Sequence, residues 1–292
     1  MLPASVKRLS DKKEHCKGIM FKDSEYRELT RLVQKHFGIA LGYEKRSMVT
    51  HRLQSWLVEQ GHSSLKSFLD YLADDTTGSG LMALANRLTT NYSYFYRESD
   101  QLDFFFTRAL PRKHEQSSGS TLNIWSAGCA SGEEPYSIAM LMREYFDTHL
   151  SLLEMGILAT DIDSQILKEA YKGLYREDRL SRLPDHLRSK YLLPKGSGYW
   201  EVSPYVKKMV HFTRYNLIRD LFTFKQPFFA IFCRNVMIYF DQQTINDLVE
   251  RFASVLEPGG YLIIGQTESL DRNKLNLDYV APSIYQKPCK KP

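Results

Sequence analysis

The spacing of apolar residues changes character along the 292-residue chain. Up to about residue 90 it keeps a helical period. Tyr26, Leu29, Val33 and Phe37 predict one helix, with Asp23 or Ser24 as its cap and Gly38 as its stop. Val49, Leu53, Trp56 and Leu57 predict a second, from about Tyr43 to Gln60, with Gly61 behind it. Leu65, Phe68, Leu69 and Leu72 mark a third helix, and Leu81, Leu84, Ala85 and Leu88 a fourth, with a turn over Asp74–Gly80 between them. The segment Asn91–Arg97 breaks the period. A phenylalanine-rich helix follows, with Leu102, Phe105, Phe106 and Ala109 on one face and Pro111 at its expected end. Lys113–Ser120 is polar and reads as an exposed loop.

After Thr121 short apolar runs take over. Leu122–Ala127, Ile157–Thr160, Phe228–Cys233, Tyr261–Gly265 and Ile284–Lys287 read as strands. Helices are expected from Pro135, from Ser164 and over about Gln242–Leu256. Strands alternating with helices predict an α/β fold, a mostly parallel sheet covered on both faces. Further short strands near Tyr199–Val202 and Met209–Phe212 read as a small insertion, around residues 191–213. The expected division is a flexible tail (1–19), an all-helical domain (20–90), a linker with a connecting helix (91–120) and the α/β domain (121–292).

Composition narrows the class. No apolar run approaches the roughly 18–20 residues that span a bilayer, and the first twenty residues carry charge throughout, with no secretory core. A cytoplasmic protein with no membrane insertion is expected. Cys16, Cys129, Cys233 and Cys289 lie far apart, which suits reduced thiols and offers no metal knuckle, so no metal is expected. Residues 1–60 hold 12 Lys and Arg against 7 Asp and Glu, whereas the rest of the chain holds 27 of each. The excess positive charge is therefore N-terminal, where it either meets an acidic partner or merely solvates a helical face.

The strongest chemical signal is Ile124–Glu134, a strand, a loop with Gly128 and Gly132, and a helix opened by Glu133 and Glu134. In an open α/β sheet, ligands bind at the carboxyl ends of the strands. No Lys-Ser/Thr follows the second glycine and the spacing is not GxGxxG, so neither phosphate loop is present. Two carboxylates would repel a pyrophosphate. S-adenosylmethionine (SAM), with a sulfonium, an ammonium and a ribose diol but no phosphate, suits such a loop. The structural alternative is an ordinary turn with glutamates at a helix N-terminus. Asp161 ends the next strand, where an acidic residue can accept from ribose hydroxyls. A helix cap is the alternative, though Asp163 or Ser164 could supply that. Cys233–Phe240 follows the third strand and lacks the Asn/Asp-Pro-Pro-aromatic segment of amino-methylating nucleic-acid enzymes. In Asn91–Arg97, Asn, Ser and Arg alternate with aromatics, so one side can face a ligand while the other packs.

Together these segments resemble the CheR-type chemotaxis receptor methyltransferases. The resemblance runs from about Met20 to Tyr285, through Leu88–Glu98, Trp125–Ser137, Ala159–Asp163, Tyr215–Leu217, Ile231–Asp241 and Gly265–Ser269. It implies a helical N-terminal domain and a Rossmann-like SAM-dependent methyltransferase domain carrying a small antiparallel β subdomain. It implies cofactor contacts from Asn91, Ser93, Arg97, Glu133, Asp161, Asn216, Leu217, Arg234 and Asn235. Glu133 would face the amino-acid end of SAM and Asp161 the ribose, with Arg97 and Tyr239 beside the transferred methyl group. The implied reaction converts glutamate side chains on the cytoplasmic helical bundle of a chemoreceptor to methyl esters, leaving S-adenosylhomocysteine (SAH). The implied protein is a monomer without nucleic-acid partners, recruited from the cytoplasm to membrane receptor arrays. In some members the inserted subdomain docks a receptor's C-terminal peptide. Ser93 stands where threonine is common, and Phe229 where an aspartate is. An acidic receptor bundle would suit Lys45, Arg46 and Arg52 as steering residues. The competing classes are a SAM-dependent nucleic-acid methyltransferase and a non-catalytic SAM sensor.

Overall fold

A computed structural model describes residues 19–90, 92–116, 121–149, 155–271 and 275–289. Asn91, Cys16 and almost all of the expected N-terminal tail lie outside them. The chain forms two units. One is the chain up to Lys35 together with Ala40–Thr90, and the other is His36–Ile39 with everything from Asn91 onward.

The first unit is helical: α1 (Asp23–Phe37), a 3-10 turn (Tyr43–Lys45), α2 (Arg46–Glu59), α3 (Leu65–Asp74) and α4 (Ser79–Leu88). Leu29, Val33, Val49, Leu53, Leu57 and Leu65 are fully buried, as their helical spacing requires. Ser64 caps α3 by accepting from the Ser67 amide at 3.1 Å, and the Ser67 hydroxyl faces the Ser64 amide in return. Asp75 shapes the next turn, accepting from Thr77 and Gly80 amides at 2.9 and 2.7 Å.

In the second unit, the phenylalanine-rich segment is α5 (Ser99–Phe104), a π-helical turn (Phe105–Ala109) and α6 (Leu110–Gln116). Pro111 therefore does not end the helix, contrary to the sequence expectation, and Lys113 is helical. Proline lacks an N–H and crowds the carbonyl one turn earlier. The π turn immediately before it re-spaces those carbonyls, and the helix continues.

The main sheet contains β1 (Leu122–Ala127), β2 (Met155–Asp161), β6 (Val210–Arg214), β7 (Phe228–Cys233), β8 (Leu256–Ile264), β9 (Asp278–Ala281) and β10 (Ile284–Gln286). A separate small sheet holds β3 (Leu174–Arg176), β4 (Leu192–Gly196) and β5 (Tyr199–Val202). The seven-stranded order is β6-β2-β1-β7-β8-β10-β9. The first five strands run parallel, and β10 and β9 close the edge as an antiparallel pair. Connecting helices include α7 (Glu133–His149), α8 (Ser164–Lys172), α9 (Asp185–Tyr191), α10 (Pro204–Lys207) and α11 (Gln242–Val255).

The insertion differs from its expected bounds. Its three strands pair antiparallel in the order β3-β5-β4, beginning at Leu174, while the run near Met209–Phe212 belongs to β6 of the main sheet, parallel to β2. Short apolar runs do not disclose their neighbours, so both had read as one insertion. β8 also begins earlier than expected: Pro258, Gly259 and Gly260 form an irregularity inside it.

Trp125, fully buried, anchors the core on one face of the sheet. Its ring contacts Tyr215, Phe222, Phe224, Phe228 and Phe252, and its Nε1–H donates to Thr160 Oγ1 at 2.9 Å. Phe229 packs on the other face against Phe105 and Tyr261.

Candidate functional site

β1 is the strand at which the sheet order reverses, with β2 and β6 on one side and β7 and β8 on the other. Its register sets Ala127 beside Thr160 and Ser126 beside Phe232. The loops leaving β1, β2 and β7 therefore start side by side, at the crevice where such sheets bind ligands.

The β1–α7 loop is bent into that crevice. Gly128 and Gly132 have φ of +81° and +94°, and Ala130 has +47°. A Cβ on Gly128 would lie 2.4 Å from Val236 Cγ2, so this glycine permits the β1 and β7 loops to touch. The amides of Gly128 and Cys129 donate to the Thr160 carbonyl at 2.7 and 2.8 Å, and the Ala130 amide donates to Asp161 Oδ2 at 2.9 Å. Asp161 Oδ1 accepts from the Asp163 amide at 3.0 Å. Asp163, not Asp161, caps α8, taking the Gln165 amide at 2.8 Å. The capping alternative for Asp161 is thereby removed. Burial pushes the Asp161 carboxyl up from its ordinary value, with the two amides pulling the other way.

Glu133 is 1% exposed. The Ser131 hydroxyl lies 2.9 and 2.7 Å from its two oxygens, and Arg179 Nη1 lies 3.4 Å from Oε1. Burial raises this carboxyl too, opposed by Ser131 and Arg179. Arg179 also donates to the Ser93 carbonyl, sits 4.8 Å from the Tyr92 ring, and accepts at its own carbonyl from the Phe95 amide at 3.2 Å. It ties the linker to Glu133. No motif in the sequence had pointed to it.

Arg234 is buried under the linker. Its Nε donates to Glu134 Oε2 at 2.6 Å, and its Nη1 donates to the Arg97 carbonyl at 2.6 Å and to Gln101 Oε1 at 3.2 Å. The guanidinium is a strut joining the β7 end, the start of α7 and the linker. Asn235, at φ +61°, donates from Nδ2 to Glu98 Oε1 at 3.1 Å. Arg97 donates to the Tyr92 carbonyl at 3.2 Å and stands 5.7 Å from the Tyr94 ring. Tyr239 ends a 3-10 turn (Met237–Tyr239) and is half-buried. The Glu98–Asn235 bond thus links the segment carrying Arg97 to the segment carrying Tyr239.

Asn216 and Leu217 follow β6, whose Arg214 pairs with Asp161. Asn216 Oδ1 accepts from the Ile218 and Arg219 amides at 2.9 and 3.2 Å, and Nδ2 donates to the His36 carbonyl at 2.9 Å. Leu217 is buried in the cluster around Trp125. In the helical unit, Lys45 Nζ donates to the Ala40 carbonyl at 2.9 Å. Arg46 pairs with Asp23, donates to the Phe21 carbonyl and lies over the Tyr43 ring at 5.2 Å. Arg52 donates to the Leu88 carbonyl at 2.6 Å and to Thr90 Oγ1 at 3.2 Å.

The donor set can be tested against SAM. Asp161 takes one backbone amide on each oxygen, and Glu133 takes the Ser131 hydroxyl and Arg179; the Asp161 oxygens each keep a lone pair for a diol, and Glu133 Oε2 keeps one for an ammonium. Buried Glu133 and half-buried Asp161 beside a bent glycine loop suit a cationic, phosphate-free nucleoside. The residues fit.

Comparison with known proteins agrees. Residues 91–285 match the CheR methyltransferase SAM-binding domain, and residues 24–89 match the CheR methyltransferase all-alpha domain. The chain belongs to the CheR methyltransferase family. It is 41% identical to a chemotaxis protein methyltransferase of Borreliella burgdorferi, over 90% of this chain and 94% of the relative. It is 33% identical to one of Escherichia coli over 90% of each chain, and 33% identical to Cher2 of Pseudomonas putida over 85% of this chain and 90% of that one. As a CheR-family chain it is a SAM-dependent methyltransferase with an all-helical N-terminal domain and a Rossmann-like catalytic domain. Among the described residues no helix is long and apolar enough to cross a membrane.

Proposed function

We propose that this CheR-family chain transfers the methyl group of SAM to glutamate carboxylates on the cytoplasmic helices of chemoreceptors, giving methyl esters and SAH. The observation that carries the reading is the placement of half-buried Asp161 at the end of β2 and buried Glu133 at the start of α7, on the two neighbouring loops of the crevice, in a chain whose similar relatives are chemotaxis protein methyltransferases. Asp161 would accept from the ribose hydroxyls and Glu133 from the ammonium. Ser93, Asn216, Leu217 and Asn235 would line the adenosine and methionine ends, as would Asn91. Arg234 serves the pocket as the strut that holds the linker and the β7 loop in register.

Bound SAM supplies a methyl group on a positively charged sulfur. A glutamate with pKa near ~4.3 is ionised at neutral pH, so the acceptor needs no general base. The protein's contribution is then alignment and exclusion of water. Arg97 would orient the incoming carboxylate, and the Tyr239 hydroxyl would donate to one of its oxygens. Lys45, Arg46 and Arg52 would meet an acidic receptor bundle, the last two while also bracing their own unit. The small β sheet, in which Glu201 pairs with Lys195 and Lys207 at 2.7 Å each, would receive a receptor C-terminal peptide. A cytoplasmic monomer recruited to receptor arrays completes the proposal.

The test is incubation with methyl-labelled SAM and membranes carrying chemoreceptors. Label on the receptor that is released by mild base is the expected result, because carboxyl methyl esters hydrolyse. Base-stable label, or none, would overturn the assignment.

A further inference from the structure

Two acidic residues that no cofactor contact requires grip the same two loops. Glu268, just after β8, is half-buried. Its Oε2 accepts from the Gly265 amide at 2.6 Å and the Asn235 amide at 3.1 Å, and its Oε1 accepts from the Ile238 amide at 3.1 Å. Glu98, in the linker, takes the other side of the same junction. Its Oε1 accepts from Asn235 Nδ2 at 3.1 Å and its Oε2 from the Gln266 amide at 3.1 Å. Asn235 is thus held by its backbone from one carboxylate and by its side chain from the other. Consecutive residues Gly265 and Gln266 are divided between the two in the same way.

The junction is crowded as well as bonded. A Cβ on Gly265 would lie 2.7 Å from Asn235 Nδ2 and 2.9 Å from Glu268 Oε2. Asn235 and Glu98 both have left-handed φ, +61° and +53°. Neither conformation is the resting choice of a non-glycine residue, so each persists only where surrounding bonds over-determine it. Ile238, the third amide held by Glu268, immediately precedes Tyr239, and Glu98 immediately follows Arg97.

We infer that Glu98 and Glu268 form a two-carboxylate clasp that positions Asn235 and Tyr239 against the Arg97 linker before any ligand arrives. In this assignment both glutamates act through the residues they hold, and Glu98 Oε1 also lies 3.8 Å from Arg97 Nε. The inference rests on the proposed methyl transfer for the roles of Arg97 and Tyr239. The geometry of the clasp stands without it.

The test uses the full-length protein. In Glu268→Gln the amide must turn its NH2 toward at least one of three amide donors, so the clasp loses a contact and gains a donor–donor clash. Hydrogen exchange read by NMR on the ligand-free protein should quicken at least tenfold at Asn235, Ile238 and Gly265, with β1 and α7 amides unchanged. SAH affinity by calorimetry should fall at least tenfold. If Glu268→Gln does not fold, Glu98→Gln, which leaves all three Glu268 contacts in place, should quicken Gln266 and weaken SAH in the same sense. Unchanged exchange at these amides would overturn the clasp. Quickened exchange with unchanged SAH affinity would reduce it to a structural brace and overturn positioning. A wild-type protein that bound SAH but methylated no receptor would remove the proposed reaction and leave both readouts intact.

Discussion

The Ala130 amide donates to Asp161 Oδ2 at 2.9 Å, so the glycine loop after β1 and the acid at the end of β2 form one bonded unit. A ligand held by Asp161 is therefore felt by the loop, and distortion of the loop moves the acid. Asp161→Ala removes the acceptor proposed for two ribose hydroxyls and frees the Ala130 amide. SAH binding should weaken by about 1.5–3 kcal/mol. Calorimetry on the folded variant is the measurement, and unchanged affinity would refute the ribose assignment.

Acid should weaken the cofactor site earlier than it weakens an ordinary carboxylate site. Burial raises both Asp161 and Glu133. An acid with a raised folded-state pKa binds its proton more tightly when folded. Its contribution to stability is present at low pH and lost as pH rises through that pKa. Ionising the pair thus costs the empty fold stability, and the hydroxyl and ammonium donors of a ligand offset that cost. SAH affinity should fall on acidification, starting above the usual carboxylate range near ~4. Titrations at a series of pH values should show this, and a flat profile would contradict it.

Gly128→Ala should damage the site without touching a ligand contact. The position needs φ of +81°, and the added carbon would meet Val236 at 2.4 Å. Left-handed strain alone is worth about 1–3 kcal/mol. A lowered melting temperature together with weakened SAH binding is expected. A variant as stable as the parent would show that the two loops can separate freely.

Arg52→Glu should slow receptor methylation while leaving SAH affinity unchanged, and the parent rate should fall as salt is raised. Exposed charge contacts of this kind are worth only ~0.2–1 kcal/mol each, so the effect belongs to association at low ionic strength. Because Arg52 also holds the Leu88 carbonyl at 2.6 Å, the control is Arg52→Gln, which keeps donors without charge. Equal rates for Arg52→Glu and the parent at low salt would assign the residue to bracing alone.

The helices of the first unit and the strands β1, β2 and β7 were legible because their apolar periods are strong and local. Asp161 and Glu133 stand out in the sequence because they sit at fixed offsets from a strand end, and the fold places both at the crevice loops. The strut and the clasp were not: Arg234 reaches Glu134 100 positions away, and Asn235 reaches Glu98 137 away. Nothing in a local period reports such a partner. Glu268 lay inside the Gly265–Ser269 resemblance without any property that separated it from a surface acid. β6 was assigned to the wrong sheet because an edge strand carries a weak alternation, and Pro111 was read as a terminator because a π turn leaves no mark in composition.

The strand order carries a consequence for how the polypeptide matures. β1 emerges early from the ribosome, yet one of its two hydrogen-bonded neighbours, β7, begins more than a hundred positions later at Phe228, and Gln101 bonds to the Ile264 carbonyl 163 positions on. The half-made catalytic unit waits with an open β1 edge until Phe228–Cys233 arrives, because sequence-distant pairings cannot form sooner. Until then that edge of β1 stays unpaired.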